Sequence, residues 1–189
     1  MIRIGILGNI GSGKSYVAKN FGYPVFNADY EVSKLYKKDK KIFKKLKKKL
    51  PKYISSFPIK KNEITKAILS NKVNLKKIIT IVHLEIRKIL KLFLKKNRNK
   101  KVIILDIPLL LENKINNKND ILVFVDSKKI EIEKRLKKRQ NFNRNLFNKF
   151  RKIQINLDYK KKISHYIIKN NFTKKTVKKS INRIINDIL

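Results

Sequence analysis

Gly8-Asn9-Ile10-Gly11-Ser12-Gly13-Lys14-Ser15 is the stretch on which the reading of this chain turns. It meets the pattern G-x-x-x-x-G-K-[ST] at every fixed position. Such a pattern has a physical demand behind it: glycines let the backbone curl so that successive N–H groups face inward at a β-phosphate, and the helix that follows adds its positive end. Lys14 is placed to reach the β- and γ-phosphates of a nucleotide, and the Ser15 hydroxyl to ligate Mg²⁺. All five glycines of the chain fall between Gly5 and Gly22, so local need placed them. Just upstream, Ile2, Ile4, Ile6 and Leu7 form a short apolar run that reads as a buried strand, and Ser15 to Phe21 resumes with helical spacing. The octet therefore sits in the strand–loop–helix context that the motif requires, with Gly8, Gly11, Ser12, Gly13, Lys14 and Ser15 as its nucleotide-binding residues.

Further along, Pro24 to Phe26 is a second short strand, leading through Asn27-Ala28-Asp29 into a helix with apolar positions at Val32, Leu35 and Tyr36. No strand pattern occurs between Lys37 and Asn99, where Ile78, Ile79, Val82, Ile86, Ile89, Leu90 and Phe93 trace one face of a long amphipathic helix. Val102 to Leu105, closed by Asp106, and Ile121 to Val125, closed by Asp126, are continuous apolar runs of the kind a parallel strand needs when both its faces are buried. Ile130 to Arg139 reads as helix, Gln140 to Asn145 as a polar segment, and roughly Leu146 to Leu157 as a further helix. Tyr166 to Ile168 is a last strand before a C-terminal helix. Strands alternating with helices predict a doubly wound parallel α/β fold with a five-stranded sheet. The chain is expected to be one domain over 1–189, carrying a helical insertion over 37–99 and a lid segment over 137–150.

Composition narrows the function classes. The 189 residues include 50 Lys+Arg against 13 Asp+Glu, a formal charge of +37, yet 42% are hydrophobic, enough for a real core. Without cysteine there is no disulfide framework, thiolate metal site or cysteine nucleophile. The N-terminal run is broken by glycine and has no cleavage pattern, and lysines interrupt every hydrophobic segment, so neither a signal peptide nor a membrane span is expected. The expected location is the cytoplasm. The lysines are spread evenly, which reads as compositional drift and not as a specific nucleic-acid surface.

A P-loop alone does not select among kinases, GTPases, ATPases and helicases. Asp29 lies at a strand end, where a parallel sheet opens its crevice to ligand; its carboxylate can orient an attacking hydroxyl, or merely cap the next helix. Asp106 has the apolar-run-then-Asp form of a magnesium-holding strand end, or is simply a polar terminus. Arg135 and Arg139, four apart among many lysines, suit bidentate phosphate contact from a mobile lid, or a solvated helix face. His83, within the apolar helix, reads by itself as a core or groove histidine.

Together these residues resemble the dephospho-CoA kinase family over nearly the whole chain. Its GGIGSGKS loop matches GNIGSGKS apart from Asn9, and its Asp-Ala-Asp matches Asn27-Ala28-Asp29, keeping the carboxylate assigned to the acceptor hydroxyl. Its Pro-Leu-Leu-x-Glu segment matches Pro108-Leu109-Leu110-Leu111-Glu112, its lid arginines match Arg135 and Arg139, its Gln-x5-Lys helix matches Gln154 and Lys160, and its Val-Ile-x-Asn segment near the adenine matches Ile167-Ile168 with Asn170. Tyr16 stands where the family has a second Ser/Thr, Leu84 where it has the Pro of His-Pro, Lys61 at an arginine position, and Asn27 at a carboxylate.

The resemblance implies a P-loop kinase fold and ATP-dependent phosphorylation of the 3′-hydroxyl of dephospho-CoA, with ATP and Mg²⁺ as cofactors. It makes Lys14, Asp29 and Arg139 catalytic, and adds Tyr16, through its backbone N–H, Arg135, Arg139 and Asn170 to the nucleotide site. Asp29, Lys61, His83, Pro108, Leu109, Leu110 and Glu112 fall to the acceptor, and Ser15 and Asp106 to the metal. The expected partners are ATP and dephospho-CoA, with no specific nucleic acid and no membrane, acting on a monomer. The rival readings are a nucleoside or nucleoside-monophosphate kinase, which shares loop, lid and sheet, and a nucleic-acid-binding P-loop protein, which the charge invites.

Overall fold

The run Ile2–Gly8 becomes the central strand of the sheet because both its faces must be covered: residues 4 to 8 along it are all buried. In this computed structural model, which describes residues 1–140 and 142–189, it is β1. The glycine loop leads to α1 (Lys14–Asn20), then β2 (Val25–Asn27), α2 (Ala28–Lys38), α3 (Lys40–Lys49), α4 (Lys61–Ser70) and α5 (Lys72–Lys96). After these come β3 (Val102–Asp106), β4 (Ile121–Asp126), α6 (Lys129–Lys137), α7 (Arg144–Ile153), α8 (Leu157–Lys162), β5 (Tyr166–Lys169) and α9 (Lys174–Ile188).

The five strands lie in the order β2-β3-β1-β4-β5, and every pairing is parallel. In this register Ile4 sits between Ile104 and Ile121, and Gly8 lies beside Val125, so β1 delivers the glycine loop to the carboxyl edge of the sheet. The order reverses beside β1, which in an open parallel sheet is where ligands bind. Ile4, Ile6, Val17, Val102, Ile104, Val123 and Ile168 share one core with Val177, Ile181 and Ile184 of α9. Leu110 packs closely over Gly5: a Cβ there would stand 2.6 Å from Leu110 Cδ2.

The chain divides into two compact units: Met1–Asn27, Asn97–Asn143 and Arg151–Leu189 form the sheet unit, and Ala28–Lys96 with Arg144–Phe150 form a helical unit. In the helical unit, α5 buries Leu75, Ile78, Val82, Ile86 and Leu90 along one stripe, the spacing its sequence predicts. Lys149 of α7 donates to the carbonyls of Ile68 and Leu69 at 2.7 and 2.8 Å, satisfying the last turn of α4. Among the described residues, no helix is long and apolar enough to cross a membrane.

Three of the differences from the sequence reading have a local chemical cause. The second strand is Val25–Asn27, one residue later than Pro24–Phe26, because Pro24 has no N–H for a ladder and contributes only its carbonyl, to Ile104 N at 2.9 Å. The helix expected over 146–157 is two, since Asn156 caps a new helix by accepting from the N–H groups of Asp158 and Tyr159. Gln154 and Lys160 therefore do not share a helix. The third concerns α6, which ends at Lys137, so Arg139 lies in the turn beyond it and not on one helical face with Arg135. The expected lid segment 137–150 and the polar run 140–145 both include Asn141, which lies outside the described residues.

Candidate active site

Backbone geometry explains the glycines first. Gly8, Gly11 and Gly13 have φ of 140°, 87° and 90°, values that side chains rarely adopt. At Gly8 a Cβ would also lie 2.6 Å from the Val125 carbonyl oxygen, and at Gly13 2.5 Å from Asn170 Nδ2. The loop is held from behind at one atom: the carbonyl of Ser12 accepts from Ser127 Oγ at 2.9 Å and from Asn170 Nδ2 at 2.8 Å. Lys14 is folded onto its own loop, with Nζ donating to the Gly8 carbonyl at 3.1 Å and the Asn9 carbonyl at 2.7 Å. The Ser12 hydroxyl is buried with no hydrogen-bond partner among the described residues.

Asp106 ends β3 and is 3% exposed. Burial pushes its carboxyl up; the Ser15 hydroxyl, the Lys14 charge, the Asn27 amide and the Lys19 charge pull it back. Asn27 Nδ2 donates to Asp106 Oδ2 at 2.5 Å, so the Asn27 amide is tied to the strand-end carboxylate. Ser15, Lys14 and Asp106 thus converge. A hydroxyl and a carboxylate are hard oxygen donors, and they suit Mg²⁺, which binds through one or two such groups and completes its shell with phosphate oxygens and water. Among the described residues, no cluster of three or more His, Cys, Asp or Glu offers an all-protein cage.

The other expected site residues of the sheet unit fall into two groups. Pro108 and Leu109 are half-buried, whereas Leu110 is fully buried in the core over Gly5. Glu112 accepts from Lys160 Nζ at 2.6 Å and from Ile155 N at 2.9 Å. Arg135 lies over the Phe172 ring at 4.2 Å, and Arg139 is exposed. Asn170, 3% exposed, spends its amide on the loop and its Oδ1 on Phe172 N, which holds Phe172 at a φ of 63°.

In the helical unit, Asp29 is in the first turn of α2 and exposed, so it is inside the helix and not at its cap. Lys61 opens α4 and is exposed. His83 is half-buried in α5, and burial, followed by the nearby Arg87 charge, lowers its basicity. Tyr16, in α1 of the sheet unit, is 39% exposed, with its ring outside the core. Ser127 and Phe172 are the residues that sequence reasoning missed. A serine after Val125-Asp126 is indistinguishable from an ordinary polar strand end, and only the fold shows what each touches.

The dephospho-CoA kinase family profile matches residues 2–176, which include the glycine loop, Asp106, the Pro108–Glu112 segment and Asn170. The chain belongs to the dephospho-CoA kinase family. Within it, the dephospho-CoA kinase of Wolbachia pipientis wMel is 32% identical over 98% of this chain and 97% of its own length. That of Rickettsia prowazekii (strain Madrid E) is 30% identical, covering 100% and 98%. A crystal structure from Thermus thermophilus superposes with a TM-score of 0.81 at 25% identity, covering 100% of this chain and 98% of the other. The dephospho-CoA kinase of Campylobacter jejuni shares the fold with a TM-score of 0.64 at 20% identity, covering 98% and 96%.

Proposed function

We propose that this dephospho-CoA kinase family member transfers the γ-phosphoryl group of ATP to the ribose 3′-hydroxyl of dephospho-CoA, with the roles divided as follows. The loop amides from Gly8 to Ser15, and the N–H of Tyr16, hold the donor phosphates. Lys14 leaves the Gly8 and Asn9 carbonyls to meet the β- and γ-phosphates. Ser15 and Asp106 would hold Mg²⁺, which when bound would offset the negative charge of the donor phosphates. Asp29 orients the acceptor hydroxyl and takes its proton as the P–O bond forms. Arg139, with Arg135, covers the transferring group and excludes water. Pro108, Leu109, Leu110 and Glu112 of the sheet unit, and Lys61 and His83 of the helical unit, serve the acceptor.

The observation that carries this reading is the convergence of Lys14, Ser15 and Asp106 on a glycine loop pinned by Ser127 and Asn170. The cofactors are ATP and Mg²⁺. Product identification tests the chemistry: phosphorus NMR of a reaction of the purified chain with ATP, Mg²⁺ and dephospho-CoA should show a new ribose 3′-monoester. A product phosphorylated elsewhere, or ADP formed without one, contradicts the reading.

A further inference from the structure

Lysine is this chain's default surface residue, yet among the described residues two of the 50 Lys+Arg are buried. One is Lys14 of the phosphate loop. The other is Lys160, 1% exposed, with its ammonium 2.6 Å from Glu112 Oε1. Compositional drift does not place a lysine there, because an interior cation is costly without a partner.

Its partner lies on the turn that follows Asp106. That turn is anchored at two places. Leu110 is locked in the core over Gly5, and the Ile115 carbonyl accepts from Arg3 Nη2 at 3.4 Å. Between these anchors the turn is closed by short bonds from Asn113 N to Leu109 O and from Ile115 N to Leu110 O, at 3.1 and 3.0 Å. Glu112 lies between the anchors, and its carboxylate is reached by Lys160 and by the Ile155 N–H in the α7–α8 connection. Glu112 Oε2 and Gln154 Nε2 are buried with no hydrogen-bond partner among the described residues, so the cluster is not built for maximal stability. A well-packed apolar pair is often as stable as a buried ion pair or more so, whereas a charged pair fixes one register.

We propose that Lys160 is a positioning residue for the acceptor: by gripping Glu112 it holds the Ile107–Ile115 turn in the shape that receives dephospho-CoA. This rests on the functional reading above. The phosphate loop has its own support from Ser127 and Asn170, so the Lys160 grip acts on acceptor binding and leaves ATP binding alone.

Steady-state kinetics of the full chain test this with Lys160→Met, Lys160→Arg, Glu112→Gln and the double variant Lys160→Met/Glu112→Gln, each with a thermal midpoint. Lys160→Met should raise KM for dephospho-CoA at least tenfold and keep KM for ATP within twofold. Lys160→Arg should recover part of that loss. The double variant, which leaves no buried uncompensated charge, should regain the thermal midpoint while KM for dephospho-CoA stays above that of Glu112→Gln alone, which controls for loss of the carboxylate itself; that comparison decides the matter if Lys160→Met does not fold. Equal changes in both KM values, or a double-variant KM for dephospho-CoA no higher than that of Glu112→Gln, overturn the proposal and leave Lys160 merely structural. Wild-type turnover in the same assay separates the two claims, since its absence sinks the functional reading and its presence leaves only the role of Lys160 at stake.

Discussion

Asn170 Nδ2 donates to the Ser12 carbonyl at 2.8 Å, so the loop after the last strand supports the phosphate loop from beneath. The same side chain turns the backbone at Phe172 through its Oδ1. Asn170→Ala removes both bonds and leaves the Ser12 carbonyl with Ser127 alone among these two donors. Its expected cost is about 1–3 kcal/mol of stability, together with a KM for ATP raised roughly tenfold as the loop loses its set shape. Thermal melts and ATP titrations check it; a variant with wild-type ATP affinity contradicts the role.

Gly13 and Gly22 separate backbone strain from crowding. Both have positive φ, 90° and 77°, but a Cβ at Gly13 meets Asn170 Nδ2 at 2.5 Å, while at Gly22 nothing lies within 4 Å. Gly22→Ala should therefore cost about 1 kcal/mol of stability, as left-handed strain alone does, with turnover unchanged. Gly13→Ala should abolish measurable ATP binding as well. Isothermal titration with ATP distinguishes them, and equal binding by the two variants contradicts the argument.

Asp29 and Lys14 have different jobs, and kinetics can tell them apart. Asp29→Asn should lower kcat by roughly 10²–10⁴, the usual worth of a positioned acid–base group, and leave the Kd for ATP near wild type. Lys14→Ala should lower both kcat and ATP affinity if its ammonium meets the donor phosphates as proposed. A fully active Asp29→Asn enzyme refutes its assignment.

Glu63 gives the helical unit a pH signature. Burial raises its carboxyl, but the N–H groups of Ser55, Lys60 and Ser56 and the Ser55 hydroxyl override that and bring it from 4.5 to about 2. Oε1 accepts from Ser55 N and Oγ at 2.8 Å, and Oε2 from Lys60 N at 2.9 Å. A folded value below the unfolded one means that the ionised form stabilises the fold above pH 4.5 and that the contribution fades as pH falls toward about 2. Glu63→Gln should be less stable than wild type by about 1–3 kcal/mol at pH 7, and the gap should close through that window. Parallel pH profiles for the two proteins count against it.

How much of this was legible in the sequence depended on whether the signal was local. The octet Gly8–Ser15 could be read because each fixed position answers a distinct steric or charge demand within a few residues of chain. Strands β3 and β4 could be read because burial on both faces leaves an unbroken apolar run, as in Val102–Leu105. The break at Asn156 was a local cap hidden inside a helical apolar spacing, and the end of α6 before Arg139 was set by a turn the pattern did not mark. The pairings Asn170–Ser12 and Lys160–Glu112 join segments far apart in the chain, so no periodicity carries them. The family resemblance singles out Lys160 in the sequence, but only the fold shows that it is buried against Glu112.

The charge of +37 invites a polyanion as the partner, so the identity of the acceptor separates the readings of this chain. ADP release, measured with saturating ATP and Mg²⁺ against dephospho-CoA, AMP, CMP, adenosine, RNA and no acceptor, tests it most directly. The expected kcat/KM for dephospho-CoA is at least a hundredfold above that of every other acceptor, with no stimulation by RNA. Preferential turnover of a nucleoside monophosphate, or turnover that requires nucleic acid, contradicts it.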